Sequence, residues 1–139
     1  MNILIIDDDA EDTEIFCHAL KEVAPEINCL IMHDPKTGIC DLKDSRQPLH
    51  AIFLDANMTM ISGRDCLIAL RQIRELKDTR IIMYSGYMNE KQIGEYRTLG
   101  ANDVWVKPNS YDDLRKILGI FLSTIQKPER QQLPNAGQL

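Results

Sequence analysis

The stretch Ala51-Ile52-Phe53-Leu54-Asp55-Ala56-Asn57-Met58-Thr59-Met60-Ile61-Ser62-Gly63 decides how this chain folds. Its apolar start runs straight into one aspartate, and a short polar-capped loop then reaches Gly63. An apolar run this short, bounded by turn residues, reads as a strand covered on both faces, as in a parallel sheet. A carboxylate at the carboxyl end of such a strand sits where open α/β sheets bind and transform ligands. Asp55 is therefore the first candidate for chemistry.

Working outward, the same pattern recurs. Ile3-Leu4-Ile5-Ile6 ends in Asp7-Asp8-Asp9, a buried strand opening into an acidic loop, with Asp9 placed to cap the next helix. That helix is apolar at Phe16, Ala19, Leu20 and Val23, and Pro25 ends it. Ile27 to His33 reads as a second strand, and Asp34-Pro35 starts a short helix that Gly38 is expected to interrupt. Gly63 opens a helix apolar at Cys66, Leu67, Leu70 and Ile73. Arg80 to Tyr84 is the fourth strand, ending at Ser85-Gly86. Asn89 to Leu99 has helical spacing with few apolar anchors and a costly Gly94, so it is expected to be the least firmly held helix. Asp103 to Val106 is the fifth strand, ending at Lys107-Pro108. Ser110 caps a last helix with Leu114, Ile117, Leu118, Phe121, Leu122 and Ile125 on one face. Strands alternating with helices predict an α/β fold, a three-layer domain with a five-stranded parallel sheet and helices on both faces.

The chain has 139 residues, room for one domain with a sizeable core. Residues 1–126 carry the pattern; 127–139 turn polar, with Pro128 and Pro134, and read as a C-terminal tail too short to be an output domain. The net charge of -5 and the lack of a basic cluster argue against a nucleic-acid surface. No stretch reaches membrane-spanning length and no signal segment is recognisable, so a cytoplasmic protein is expected. Cys17, Cys29, Cys40 and Cys66 show no C-x-x-C pair and read as reduced, buried small hydrophobes. His18, His33 and His50 read as structural or exposed, and Trp105 as core.

Placed side by side, the strand ends converge. Asp7 and Asp8, Asp55, Ser85 and Lys107 all fall at one edge of the sheet. Carboxylates at such close quarters repel by about 4 kcal/mol per pair at 4 Å and an effective dielectric of 20. An ammonium group offsets one charge, and a divalent cation with a preference for hard oxygen ligands, Mg²⁺, offsets the rest. Carboxylate, lysine, hydroxyl and magnesium are the equipment of phosphoryl transfer with an aspartyl-phosphate product.

These elements, Asp7-Asp8, Asp55 with Asn57-Met58 and Ser62-Gly63, Ser85-Gly86, and Gly100-Ala101 leading to Lys107-Pro108, resemble the receiver domains of two-component response regulators over roughly residues 1–126. The resemblance implies the flavodoxin-like strand order 2-1-3-4-5. It also implies that Asp55 is the phosphoacceptor and that Asp8, Asp55 and the backbone carbonyl of Asn57 ligate Mg²⁺, with Asp7 acting through a water. Lys107 would pair with Asp55 and then with the phosphoryl group, Ser85 would hydrogen-bond a phosphoryl oxygen, and Lys107-Pro108 would be cis. The implied function is that of a single-domain regulator, not a turnover enzyme, catalysing only its own phosphorylation and dephosphorylation. The implied partners are a sensor histidine kinase or phosphotransfer protein, and a downstream protein met through the fourth helix, fifth strand and fifth helix. Two departures stand out. Thr59 replaces the family's usual proline and is expected to loosen its loop. Val104 stands where many members carry an aromatic switch residue, and Trp105 faces the other side of the sheet. Asp55 to Thr59 also resembles the nucleophile loop of haloacid-dehalogenase-like phosphatases, although there the acidic metal residues follow the nucleophile, whereas Asp7-Asp8 precede it. A receiver-fold adaptor that is never phosphorylated is the remaining alternative.

Overall fold

The computed structural model describes residues 1–138, with side chains through Ile125. Strands β1 (Asn2–Ile6), β2 (Asn28–Met32), β3 (Ala51–Leu54), β4 (Arg80–Ser85) and β5 (Asp103–Val106) form one parallel sheet in the order β2-β1-β3-β4-β5. Helices α1 (Ala10–Val23), α2 (Pro35–Asp44), α3 (Gly63–Arg71), α4 (Glu90–Thr98) and α5 (Tyr111–Gln138) connect and follow the strands. The expected polar tail at 127–139 lies outside the residues whose side chains are described. No helix among the described residues is long and apolar enough to cross a membrane.

The continuous apolar runs of β1, β3 and β4 are buried on both faces, which is why they lack the alternation of a half-exposed strand. Their side chains divide by parity. Ile3, Ile5, Phe53, Ile82, Tyr84 and Trp105 face α1 and α5, whereas Leu4, Ile6, Ile52, Leu54, Ile81 and Met83 face the other layer. Phe53 is the hub of the first face, with its ring centroid 4.8 Å from Phe16, 5.1 Å from Trp105 and 5.3 Å from Phe121. Offset aromatic contacts of this kind stabilise beyond their burial. Trp105 is core, as expected, and Val104 packs on the opposite face.

The expected caps Asp9, Asp34 and Ser110 are present, and Ser62 and Asn89 add two that were not expected. Asp9, Asp34, Ser62 and Asn89 each accept a backbone N–H at the start of a helix, and Asn89 forms a reciprocal capping box with Gln92. Tyr96 is the only buried side chain of α4, so this helix is held as lightly as its pattern predicts. Gly100 ends it with a φ of 110°, which only glycine adopts without strain. The histidines are structural: His50 accepts from the Asn2 backbone, His33 meets the Thr13 hydroxyl, and His18 pairs with Glu22.

Three expectations about this framework are corrected. Gly38 does not interrupt α2; the helix runs through it, and its missing side chain makes room for Met32, whose sulfur lies 2.7 Å from where a Cβ would stand. Cys17 and Cys29 are not free thiols but form a disulfide, their Cα atoms 5.6 Å apart, that ties α1 to β2. Their spacing in sequence carries no such signal; the helix simply returns one cysteine beside the edge strand that carries the other. Cys66 is a free, buried thiol as expected, but Cys40 is exposed.

Gly63 fixes the start of α3 against the end of β3. A Cβ there would stand 2.5 Å from Ala56 Cα and 2.7 Å from the Asp55 carbonyl oxygen. Gly63→Ala is therefore expected to lose about 1–3 kcal/mol of stability through overpacking. Urea unfolding of the two proteins measures this.

Candidate functional site

Strands β1, β3, β4 and β5 each carry a side chain to the same edge. Asp7 follows β1 and is fully buried, and its backbone N–H donates to the Met32 carbonyl of β2. Asp55 follows β3, is 7% exposed, and donates its backbone N–H to the Ile6 carbonyl at 2.9 Å. Asp7, Asp8 and Asp55 each bring one carboxylate oxygen within 4.8 Å of the others. Three hard oxygen donors in that volume suit a divalent cation with oxygen preference, so the residues fit the magnesium expected from the sequence.

The cation of the site is placed differently from expectation. Lys107 Nζ donates to Asp7 Oδ2 at 3.0 Å and to Asp12 Oδ2 at 2.7 Å, and does not form an ion pair with Asp55. The reason is local: Asp7 is wholly buried, and Asp12 projects from the first turn of α1 toward the same ammonium. Nor is Lys107-Pro108 cis, since no cis peptide bond occurs among the described residues. The trans form, lower in energy by about 0.5–1 kcal/mol, already lets the long side chain reach Asp7.

Burial pushes the Asp55 carboxyl up to about 6; the Asn57 N–H and the Lys107 charge oppose this, and the Asp7 charge adds to it. Burial would lower Lys107, but its hydrogen bonds to Asp12 and Asp7 outweigh that and hold the ammonium above its ordinary range. Ser85 ends β4 almost fully buried, and its Oγ accepts from the Asn57 side-chain amide at 2.8 Å. Asn57 therefore bridges the β3 and β4 ends through its side chain, a role its expected carbonyl contribution did not suggest.

Thr59 does the opposite of what its departure from proline suggests. Its backbone N–H and its hydroxyl both donate to Asp8 Oδ2, each at 2.9 Å, so it ties the two loops together. Proline could supply neither donor. The Thr59 N–H, followed by its hydroxyl, is the main reason Asp8 sits below the usual carboxylate range. Asp12 and the Asn57 amide are the participants that sequence reasoning missed. The only available signal for Asp12 was its place in the first helical turn after the acidic loop.

Sheet order, strand-end carboxylates and a strand-end lysine together define a receiver-type site. Residues 3–119 match the response regulator receiver domain family, and the chain belongs to that family. It is similar to the acid tolerance regulatory protein ActR of Rhizobium meliloti (strain 1021), with 32% identity over 134 residues covering 96% of this chain and 63% of that protein. The chain thus spans less than two thirds of that relative's length. Among solved structures, the Mn(2+)-bound form of response regulator Rcp1 matches with a TM-score of 0.74 and 23% identity, over 88% of this chain and 91% of that one. The phosphorylated cyanobacterial phytochrome response regulator RcpA matches with a TM-score of 0.77 and 20% identity, again over 88% and 91%. These two share the fold.

The Asp55 carboxyl has a pH consequence. Its folded-state value lies above that of the unfolded chain, so its contribution to stability is fully present below pH about 4 and is lost as pH rises through about 6. In EDTA, Asp55→Asn should remove this loss and gain about 1–2 kcal/mol at pH 7, allowing for solvent screening. Denaturation curves from pH 4 to 8 measure it. Asp8 has the reverse sign. Thr59→Val should cost about 0.5–1 kcal/mol at neutral pH, and the difference from the parent should close as acid protonates Asp8.

Proposed function

We propose that this domain accepts a phosphoryl group on Asp55 from a phosphohistidine, carried by a sensor histidine kinase or phosphotransfer protein, and thereby switches a protein-binding surface. The observation that carries this reading is the convergence of Asp7, Asp8 and Asp55 with Lys107 and Ser85 at one sheet edge. Asp8, Asp55 and the Asn57 backbone carbonyl would hold Mg²⁺, with Asp7 acting through a water. Bound there, the ion would neutralise phosphoryl oxygens. The Mn(2+)-bound form of Rcp1 and the phosphorylated form of RcpA are in keeping with this reading for a shared fold.

The chain's own residues supply the remaining steps. A carboxylate oxygen of Asp55 attacks the phosphorus in line, the phosphorus–nitrogen bond breaks, and the histidine leaves with its electron pair. Lys107 lies close enough to lower the Asp55 carboxyl electrostatically, so a modest swing takes its ammonium to a phosphoryl oxygen. Ser85 accepts from Asn57, which leaves its own hydroxyl hydrogen free to donate to another. Pulling Ser85 toward that oxygen draws on the β4–α4 connection, and α4 resists little because Tyr96 is its only buried side chain. Output would pass through the face formed by α4, β5 and α5, with residues 1–126 as the functional unit. Val104 on β5 has no aromatic ring to rotate, so the signal would travel through the position of α4 itself.

Acetyl phosphate with Mg²⁺ should give a single phosphoryl adduct by intact-mass analysis, and Asp55→Asn should give none. An equal adduct on the variant, or none on the parent, overturns the reading.

A further inference from the structure

We infer that Asp12 is a positioning residue of this site, holding Lys107 away from Asp55 and so favouring a bound cation while opposing a phosphoryl group. The inference rests on the phosphotransfer reading above. Asp12 belongs to α1, and its backbone N–H donates to Asp9 Oδ1 at 3.2 Å, which fixes where its side chain starts. Its carboxylate holds Lys107 at 2.7 Å, closer than the 3.0 Å of Asp7. Asp12 is not among the three carboxylates that share a cation-sized volume. Instead it lines, with Lys107, Tyr84 and Pro108, a cleft of about 280 Å³ between α1 and the β5–α5 loop. The ammonium thus spans two anions of different kinds: Asp7, buried beside Asp55, and Asp12, with 38% of its side chain exposed at the mouth.

The geometry lets Lys107 reach a phosphoryl group on Asp55 while keeping Asp7, because Asp7 and Asp55 are neighbours in the cluster. The Asp12 contact is the one that must be given up. Removing the charge of Asp12 has opposite effects on the two ligands of the site. A divalent cation loses an attraction and meets a lysine that turns toward Asp7 and Asp55. A phosphoryl group loses a repulsion and gains that lysine. A role confined to stabilising the start of α1 would change folding stability without separating the two affinities in this way.

The test uses the full chain and its variant Asp12→Asn, titrated with Mg²⁺ by calorimetry and then with beryllofluoride at saturating Mg²⁺, beside urea unfolding. Mg²⁺ affinity is expected to fall about threefold to tenfold and beryllofluoride affinity to rise by about the same factor. Asp12→Glu should return both toward the parent. Asp12→Ser, which also suits a first helical turn, carries the same expectation as Asp12→Asn. If the parent binds beryllofluoride and the neutral variants bind it no tighter, or both affinities move together, the role of Asp12 is overturned while the phosphotransfer reading stands. If the parent takes up no beryllofluoride, both fall.

Discussion

The contact between Lys107 and the buried Asp7 is the one on which this end of the molecule depends. A carboxylate with no exposed surface is tolerable only with a counter-charge and hydrogen bonds. Asp7 has the Lys107 ammonium on Oδ2 and the Asp9 backbone N–H on Oδ1. That one pair joins the first strand end to the last, 100 residues apart, and closes the crevice across β1, β3, β4 and β5. Asp55 lies in the same crevice, and burial keeps its carboxyl poised near 6. The site therefore concentrates negative charge that its own lysine balances only in part, which makes it receptive to a small, hard cation.

Much of this was legible in the chain because burial writes itself into composition. Ile3-Leu4-Ile5-Ile6, Ala51-Ile52-Phe53-Leu54 and Ile81-Ile82-Met83 could be covered on both faces and nowhere else, and a sheet of such strands must be parallel with helices on either side. The strand ends then fall on one edge by topology, which alone brings Asp7, Asp8, Asp55, Ser85 and Lys107 together. The caps Asp9, Asp34 and Ser110 were equally readable, because a cap acts over three or four residues, whereas Ser62 and Asn89 emerged as caps only in three dimensions.

What escaped was the pairing among side chains that topology brings close but does not connect. Asp12 reads as an ordinary acid in a helical first turn; only the reach of Lys107 makes it a partner. Thr59 reads as a lost proline, because a missing rigid residue is visible in sequence while a gained donor pair is not. The Cys17–Cys29 bond depends on how α1 lies against the edge strand, which periodicity alone does not fix. In each case the sequence names the groups, and the three-dimensional arrangement chooses among partners of similar chemistry.

The tight seat of Gly63 against Ala56 and the Asp55 carbonyl has a bearing on how the molecule can respond. Because no side chain separates them, the start of α3 and the end of β3 behave as one rigid block, and the Gly63 N–H bonded to the Ala56 carbonyl at 3.1 Å reinforces it. Strain arising at Asp55 finds little give in that direction. Under the proposed switch it would pass sideways, through the Asn57 amide and Ser85, into the neighbour with the shallowest footing. If Asp55 is phosphorylated as proposed, this asymmetric stiffness would give the domain a preferred side on which to change shape.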